Sequence, residues 1–185
     1  MKAREVMTKR IFAKCGIIVS FALVVFIWVL MPLDEASAET RTWKGSNHIT
    51  KFEAIPTLIT PGHFIGVFER QGESLFDNGE KTKTILRGTV DLNMDIGEGS
   101  FQGYSFVTYE DGSITITKVE GAMKLPPGES LPLSEGKGTY IKGTGRFQGI
   151  QGTMSFKSKQ IKPYGGEHKG DAVIEGTSTY TLPAK

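Results

Sequence analysis

The sequence predicts an all-β domain, eight antiparallel strands closed into an up-and-down barrel, behind an N-terminal export signal. Three observations carry that reading. Glycine supplies 22 of the 147 residues from Glu39 to Lys185 and is spread evenly along them. Between the glycines lie short runs rich in Thr, Val, Ile, Phe and Tyr, residue types that suit a pleated, half-buried surface. No stretch of this region sustains an i, i+3, i+4 apolar pattern of helical length, so very little helix is expected.

Taken in order, the expected strands are Thr42 to Glu53, His63 to Leu75, Lys83 to Met94, Ser100 to Glu110, Ser113 to Met123, Lys137 to Arg146, Gly152 to Lys162 and Asp171 to Leu182. Turn chemistry separates them at Asp77-Asn78-Gly79, Gly97-Glu98-Gly99, Asp111-Gly112, Gly149 and Gly165-Gly166. Leu125 to Pro132 (LPPGESLP) reads as a longer loop, because proline cannot pair in a central strand. A meander of this size either closes into a barrel or splits into a sandwich. Closure removes exposed edges, and glycines inside strands permit the bending that a small barrel needs. Alternation is clean in two places. Leu86, Val90, Leu92 and Met94 share one face, and so do Ile150, Met154 and Phe156. One apolar lining with one wet exterior is the simplest account of that pattern. About eight strands leave an interior either filled by side chains or wide enough for one small ligand.

Residues 1–38 read as a secretory signal. Lys2, Arg4, Lys9, Arg10 and Lys14 precede an apolar run from Cys15 to Leu33, and Ala36-Ser37-Ala38 supplies a small-x-small cleavage site. Cleavage is expected between Ala38 and Glu39, which makes residues 39–185 a single secreted or periplasmic domain. The alternative is an uncleaved anchor, since the apolar run approaches the ~17–25 residues that span a bilayer. No stable membrane insertion is expected once the signal is cut.

Without the signal the chain carries 17 basic and 17 acidic residues, a net charge of zero. That balance offers no electrostatic case for a nucleic-acid partner or an anionic membrane. The only cysteine, Cys15, falls in the signal, so the mature domain is expected to form neither a disulfide nor a thiolate metal site. His48, His63 and His168 are far apart and show no metal-ligand spacing, so no metal is expected. Gly136-Lys137-Gly138 and Gly143-Thr144-Gly145 lack the following helix that a phosphate-cradling loop requires. No serine sits in a nucleophile elbow. The sequence implies no cofactor.

The runs SFVTYEDGSITITKVEGAMK (from Ser105) and GKGTYIKGTGRFQGIQGTMSFKSK (to Lys159) resemble the C-terminal part of allene oxide cyclase-like and dirigent-like barrels, a calycin-like architecture. The resemblance is sharpest in Gly143 to Gly152, which follows the Gly-x-Gly-x-Phe-x-Gly-x-x-Gly turn between two late barrel strands. There Phe147 would plug the barrel end while the glycines let the backbone double back beneath it. The resemblance implies an apolar cavity that holds a flexible substrate in one conformation, with cofactor-independent cyclisation or isomerisation by restricting conformation and excluding water. It also admits a homo-oligomer, a dimer or a trimer. Allene oxide cyclases carry an early-strand glutamate and asparagine; here Ile49 to Leu58 has Glu53 with no nearby asparagine, and Pro56 interrupts the strand. A lipocalin relationship is poorer, because Trp43-Lys44-Gly45 reverses the order of the lipocalin Gly-x-Trp.

Polar residues on apolar strand faces are the candidate site. Glu120 shares parity with Ile114, Ile116 and Ala122, and is the candidate general acid or base. Arg70 shares parity with Phe64, Gly66 and Phe68; with Tyr104 and Tyr140 it is a candidate for binding a polar head. A charge inside an apolar barrel is costly without a partner, so a buried one has a partner or a job. Lys118 has the parity of Glu120, and the competing reading puts both in solvent. The expected ligand is a small apolar or amphipathic molecule. The alternative is a non-catalytic interaction module, which requires a barrel packed shut.

Overall fold

The computed structural model describes residues 37–58 and 60–184. The expected export signal lies outside the described residues apart from Ser37 and Ala38. The strands are β1 (Glu39–Pro56), β2 (His63–Phe76), β3 (Lys81–Asn93), β4 (Glu98–Tyr109), β5 (Ile114–Lys124), β6 (Leu133–Gly143), β7 (Gln151–Gln160), β8 (Tyr164–Gly165), β9 (His168–Lys169) and β10 (Ala172–Thr181). Eight of them close a barrel in the order β1-β10-β7-β6-β5-β4-β3-β2, while β8 and β9 form a two-residue ribbon. Every pair is antiparallel, and the β1–β10 pairing from Glu39↔Tyr180 to Asn47↔Ala172 closes the ring.

The eight expected strands are all present, and the meander closes instead of splitting. Differences fall where the chain turns. β1 runs on to Pro56, which sits at the strand's last position, where a missing N–H is tolerated. β6 begins at Leu133, directly after the last proline of the loop, and ends at Gly143. Arg146, expected in that strand, lies instead in a single 3-10 turn, Gly145–Phe147. The β8–β9 ribbon forms around Gly165-Gly166, which reads in sequence only as a turn.

The barrel has two unlike ends. At one, Tyr109, Tyr140, Phe147, Ile150 and Tyr180 form a buried cluster, with Phe76, Val107 and Leu182 packed against it. Phe147 is its keystone: its ring lies 4.3 Å from that of Tyr109 and 6.0 Å from that of Tyr180. The backbone tucks this ring under the barrel by using positive φ at Gly145 (58°) and Gly149 (79°), a region glycine enters without penalty. Arg146 caps the cluster from outside, its guanidinium 5.0 Å from the Tyr109 ring centre and 4.7 Å from that of Phe147. Glu80 and Asp111 hold it there as ion-pair partners.

The barrel's waist is built on a repeated device. Trp43, Phe101 and Phe156 point inward, and each lies over the glycine directly across the strand pair: Gly176, Gly121 and Gly136. A Cβ on those glycines would come within 2.4–2.6 Å of the ring. The glycines therefore make room for large rings inside a narrow barrel. At the other end, the loops between β1 and β2, β3 and β4, β5 and β6, and the β7–β10 connection surround an opening.

Candidate ligand-binding lumen

The inward-facing side chains enclose two connected spaces. The outer chamber, about 390 Å³, is lined by Ile49, Phe52, Phe68, Val90, Leu92, Met94, Phe101, Met123, Leu125 and Leu131, among others. It opens among the loops, where Met94 is 64% exposed. Its volume is at the lower end of the ~300–1,000 Å³ typical of small-molecule sites. Deeper in lies a chamber of about 70 Å³. Its walls mix Trp43, Val119 and Phe156 with the hydroxyl-bearing Ser74, Thr82, Thr84, Ser105, Thr117, Tyr140 and Ser178, and it ends on the aromatic plug at Tyr109. Asn47, Arg70, Leu86, Phe156 and Ile174 belong to both spaces and form the waist between them.

Arg70 is the charged group of this waist. It sits on β2 opposite Ile49 and Leu86, on the inward face it shares with Phe68 and Gly72. Its Nε donates to Asn47 Oδ1 at 2.7 Å, and Nη2 donates to the Gly170 carbonyl at 2.7 Å. Both acceptors are neutral, and among the described residues Arg70 makes no ion pair. Burial pulls its pKa down to about 10, with the carboxylate of Asp171 opposing that shift. It therefore stays charged at neutral pH.

The inner chamber is partly self-satisfied. Trp43 Nε1 donates to Ser178 Oγ at 3.2 Å, and the Tyr109 and Thr115 hydroxyls lie 3.5 Å apart. Thr117 Oγ1 is buried with no hydrogen-bond partner. Burial raises the Tyr140 pKa against the opposing effect of the Ser178 hydroxyl, and burial raises that of Tyr109 above its ordinary range.

Two of the four sequence candidates meet here, and two do not. Arg70 and Tyr140 both line the inner chamber. Glu120 lies on the outer face of β5; its side chain is 62% exposed and pairs with Lys137 at 3.2 Å. Glu120, Ile114 and Ile116 do share one face of β5, and that face is the outside. Thr115, Thr117, Val119, Gly121 and Met123 are the inward residues of β5, and Ile114 and Ile116 face out with Glu120. Small side chains are required on the inner face because rings from other strands already fill this half of the barrel. Tyr104 is corrected in the same way: it is 46% exposed, while Ser105 and Tyr109 of the same strand are buried. Glu53 is also exposed, 69% at its side chain, and pairs with Lys51.

Sequence reading missed Asn47, which faces the lumen beside Arg70. Its neighbours Ser46 and His48 give no clean alternation, and the bulge between Ile49 and Lys51 reverses parity further along the strand. His63 is held at the rim, its Nδ1 2.8 Å from Thr57 Oγ1 and its Nε2 2.7 Å from Asp91 Oδ1. Neither His48 nor His168 joins it. Among the described residues no group of three or more His, Cys, Asp or Glu side chains converges as a metal site would require.

A closed eight-stranded antiparallel barrel with a waisted, one-ended lumen is thus the class of protein that the fold and site define. Solved structures share the architecture. The chain is similar to the conserved protein of unknown function RPA1785 from Rhodopseudomonas palustris, with a TM-score of 0.52 and 11% identity over 77% of this chain and 98% of that one. It is also similar to the pterocarpan synthase dirigent protein GePTS1, with a TM-score of 0.46 and 12% identity over 84% of this chain and 94% of that one. A DUF3224 family protein of unknown function from Shewanella oneidensis MR-1 has a TM-score of 0.45 and 14% identity, over 79% of this chain and 100% of that one. At such identities the likeness concerns the fold. No family model matches the chain, and no curated protein matches it in sequence.

Proposed function

We propose that this chain is an exported barrel that binds one small apolar or amphipathic molecule in its lumen. The observation that carries the reading is the outer chamber of about 390 Å³, apolar over most of its wall and open at the end opposite the aromatic plug. A packed-shut interaction module would have that space filled. Export rests on the basic, apolar and Ala36-Ser37-Ala38 segments of the sequence.

Binding without turnover is the version the side chains favour. The titratable groups deep in the lumen are Arg70, Tyr109 and Tyr140. Arg70 holds its proton at neutral pH, and burial makes both tyrosines weaker acids. None of these three is a proton acceptor near neutrality, whereas general base catalysis needs one poised there. The carboxylate that the outer chamber's wall adds, Glu98, is exposed and pairs with Lys124 at 3.6 Å. The carboxylate of Glu120 is on the outside wall.

The test is native mass spectrometry of protein purified gently from its own host. The expected spectrum shows a chain beginning at Glu39 with a small molecule attached in part of the population. A companion titration with the neutral fluorophore N-phenylnaphthylamine should saturate at one site. A bare mass together with no saturable fluorescence would contradict the proposal.

A further inference from the structure

The waist of the lumen places a permanent cation between an apolar chamber and a hydroxyl-lined pocket, and the two sides differ in what they lack. Two of the five N–H groups of a guanidinium are taken here, by Asn47 Oδ1 and the Gly170 carbonyl. Among the described residues no carboxylate pairs with Arg70. Arg70 is half-buried, and the Asp171 carboxylate, itself paired with Lys162, acts on it without forming an ion pair. A partly buried charge with no directly bonded counter-charge is costly, and the usual resolution is an ion pair with further hydrogen bonds. On the inner side, Thr117 Oγ1 is buried without a partner, in the wall of the same small chamber that Arg70 lines. The inner side of the waist thus offers N–H groups and a buried hydroxyl to a polar head, while the outer side offers a wall that is mostly apolar, with Glu98 in it.

We propose that the ligand is a compact amphiphilic carboxylate that enters head first, its carboxylate at Arg70 and its apolar body in the outer chamber. This rests on the lumen-binding reading and specifies the ligand's charge and polarity direction. A monoanion fits better than a phosphate, because a single guanidinium matches one negative charge and the inner chamber of about 70 Å³ has no second cation in its wall. The planar fork of the guanidinium also suits a carboxylate's two oxygens. The head reaches Arg70 only by passing the apolar chamber, because Phe147 and its neighbours seal the other end.

The test compares octanoate with octanol, which share an apolar body and differ at the head. Both compete against N-phenylnaphthylamine on protein produced from the full chain in an exporting host. Octanoate is expected to bind about tenfold or more tightly than octanol, the range of a hydrogen bond to a charged group. In Arg70→Met that ratio should fall to near one, and Arg70→Lys should keep part of it. If the fluorophore binds but octanoate shows no advantage over octanol, the inference is overturned and lumen binding stands. The inference also fails if the advantage survives Arg70→Met. If neither the fluorophore nor either eight-carbon probe binds, the lumen-binding reading falls and takes the inference with it. Should Arg70→Met not fold, the wild-type ratio and the Arg70→Lys variant decide the matter.

Discussion

The two ends of this barrel solve opposite problems with the same kind of strand. At the sealed end, short turns (Asp77 to Glu80, Glu110 to Ser113) and the 3-10 turn bring five large side chains into mutual contact, and Arg146 locks them from outside. At the open end, the β1–β2, β5–β6 and β7–β10 connections are longer and carry prolines, and Met94, Ile96 and Leu125 remain exposed around an apolar chamber. The contrast teaches where the free energy resides. Packing at one end stabilises the fold, which allows the other end to keep unfilled volume that a stability-optimised core would close.

Breaking the sealed end should be costly. Phe147→Ala removes the central ring and is expected to cost about 3–5 kcal/mol, the range for a buried aromatic cut to alanine, read from urea unfolding. Under conditions where the variant remains folded, N-phenylnaphthylamine should still bind, because Phe147 lines neither chamber. Loss of binding in the folded variant would mean that the two ends are coupled.

Alkaline pH attacks the same end through its tyrosines. Burial raises the pKa of Tyr109 and of Tyr140, and burial with the nearby Glu39 carboxylate raises that of Tyr180 to about 12. Unfolded phenols ionise near ~10, so above that pH the folded chain holds protons that the unfolded chain has released. Their contribution to stability is complete below pH ~10 and is lost as pH rises toward the folded values. Absorbance titration at alkaline pH should show these three tyrosines ionising together with loss of tertiary circular dichroism. Independent ionisation near the ordinary phenol value, with the barrel intact, would contradict the burial of the plug.

In the inner chamber the expected effect is smaller and of opposite sign. Thr117→Val removes a hydroxyl that is buried without a partner, so the ligand-free barrel should gain about 1 kcal/mol. A loss instead would mean that the hydroxyl is satisfied in solution, most simply by water. On the outside wall Glu120→Gln should change stability by less than about 0.5 kcal/mol and leave fluorophore binding unchanged. It breaks only an exposed pair with Lys137.

The fold was largely legible because period-two alternation and turn residues act locally, and each turn from Asp77-Asn78-Gly79 onward marks a strand end within a few residues. The phase of a strand is a different matter. In β5, Ile114 and Ile116 make the even face look like lining, yet the inner face is Thr115, Thr117 and Val119. Volume decides this: the rings of Tyr109, Tyr140 and Phe156 come from other strands and leave room only for small residues. Such a constraint is not local, and it hides the outward phase of Glu120. On β4 the phase instead follows Phe101 and Tyr109, which put Tyr104 outside. Arg70 was legible because its neighbours Phe68 and Gly66 are also inward, so parity and company agree. Asn47 was hidden by the β1 bulge, and its value appears only when β1 is brought beside β2.

The central claim is that the open end holds usable apolar space, and filling that space is its most direct test. N-phenylnaphthylamine should be titrated into wild-type protein and into Met123→Trp, which adds bulk to the chamber wall from a half-buried position. A saturable single-site signal in the wild type, lost or weakened about tenfold or more in the folded variant, is the predicted result. Equal binding to both proteins would place the probe on the surface and contradict the account.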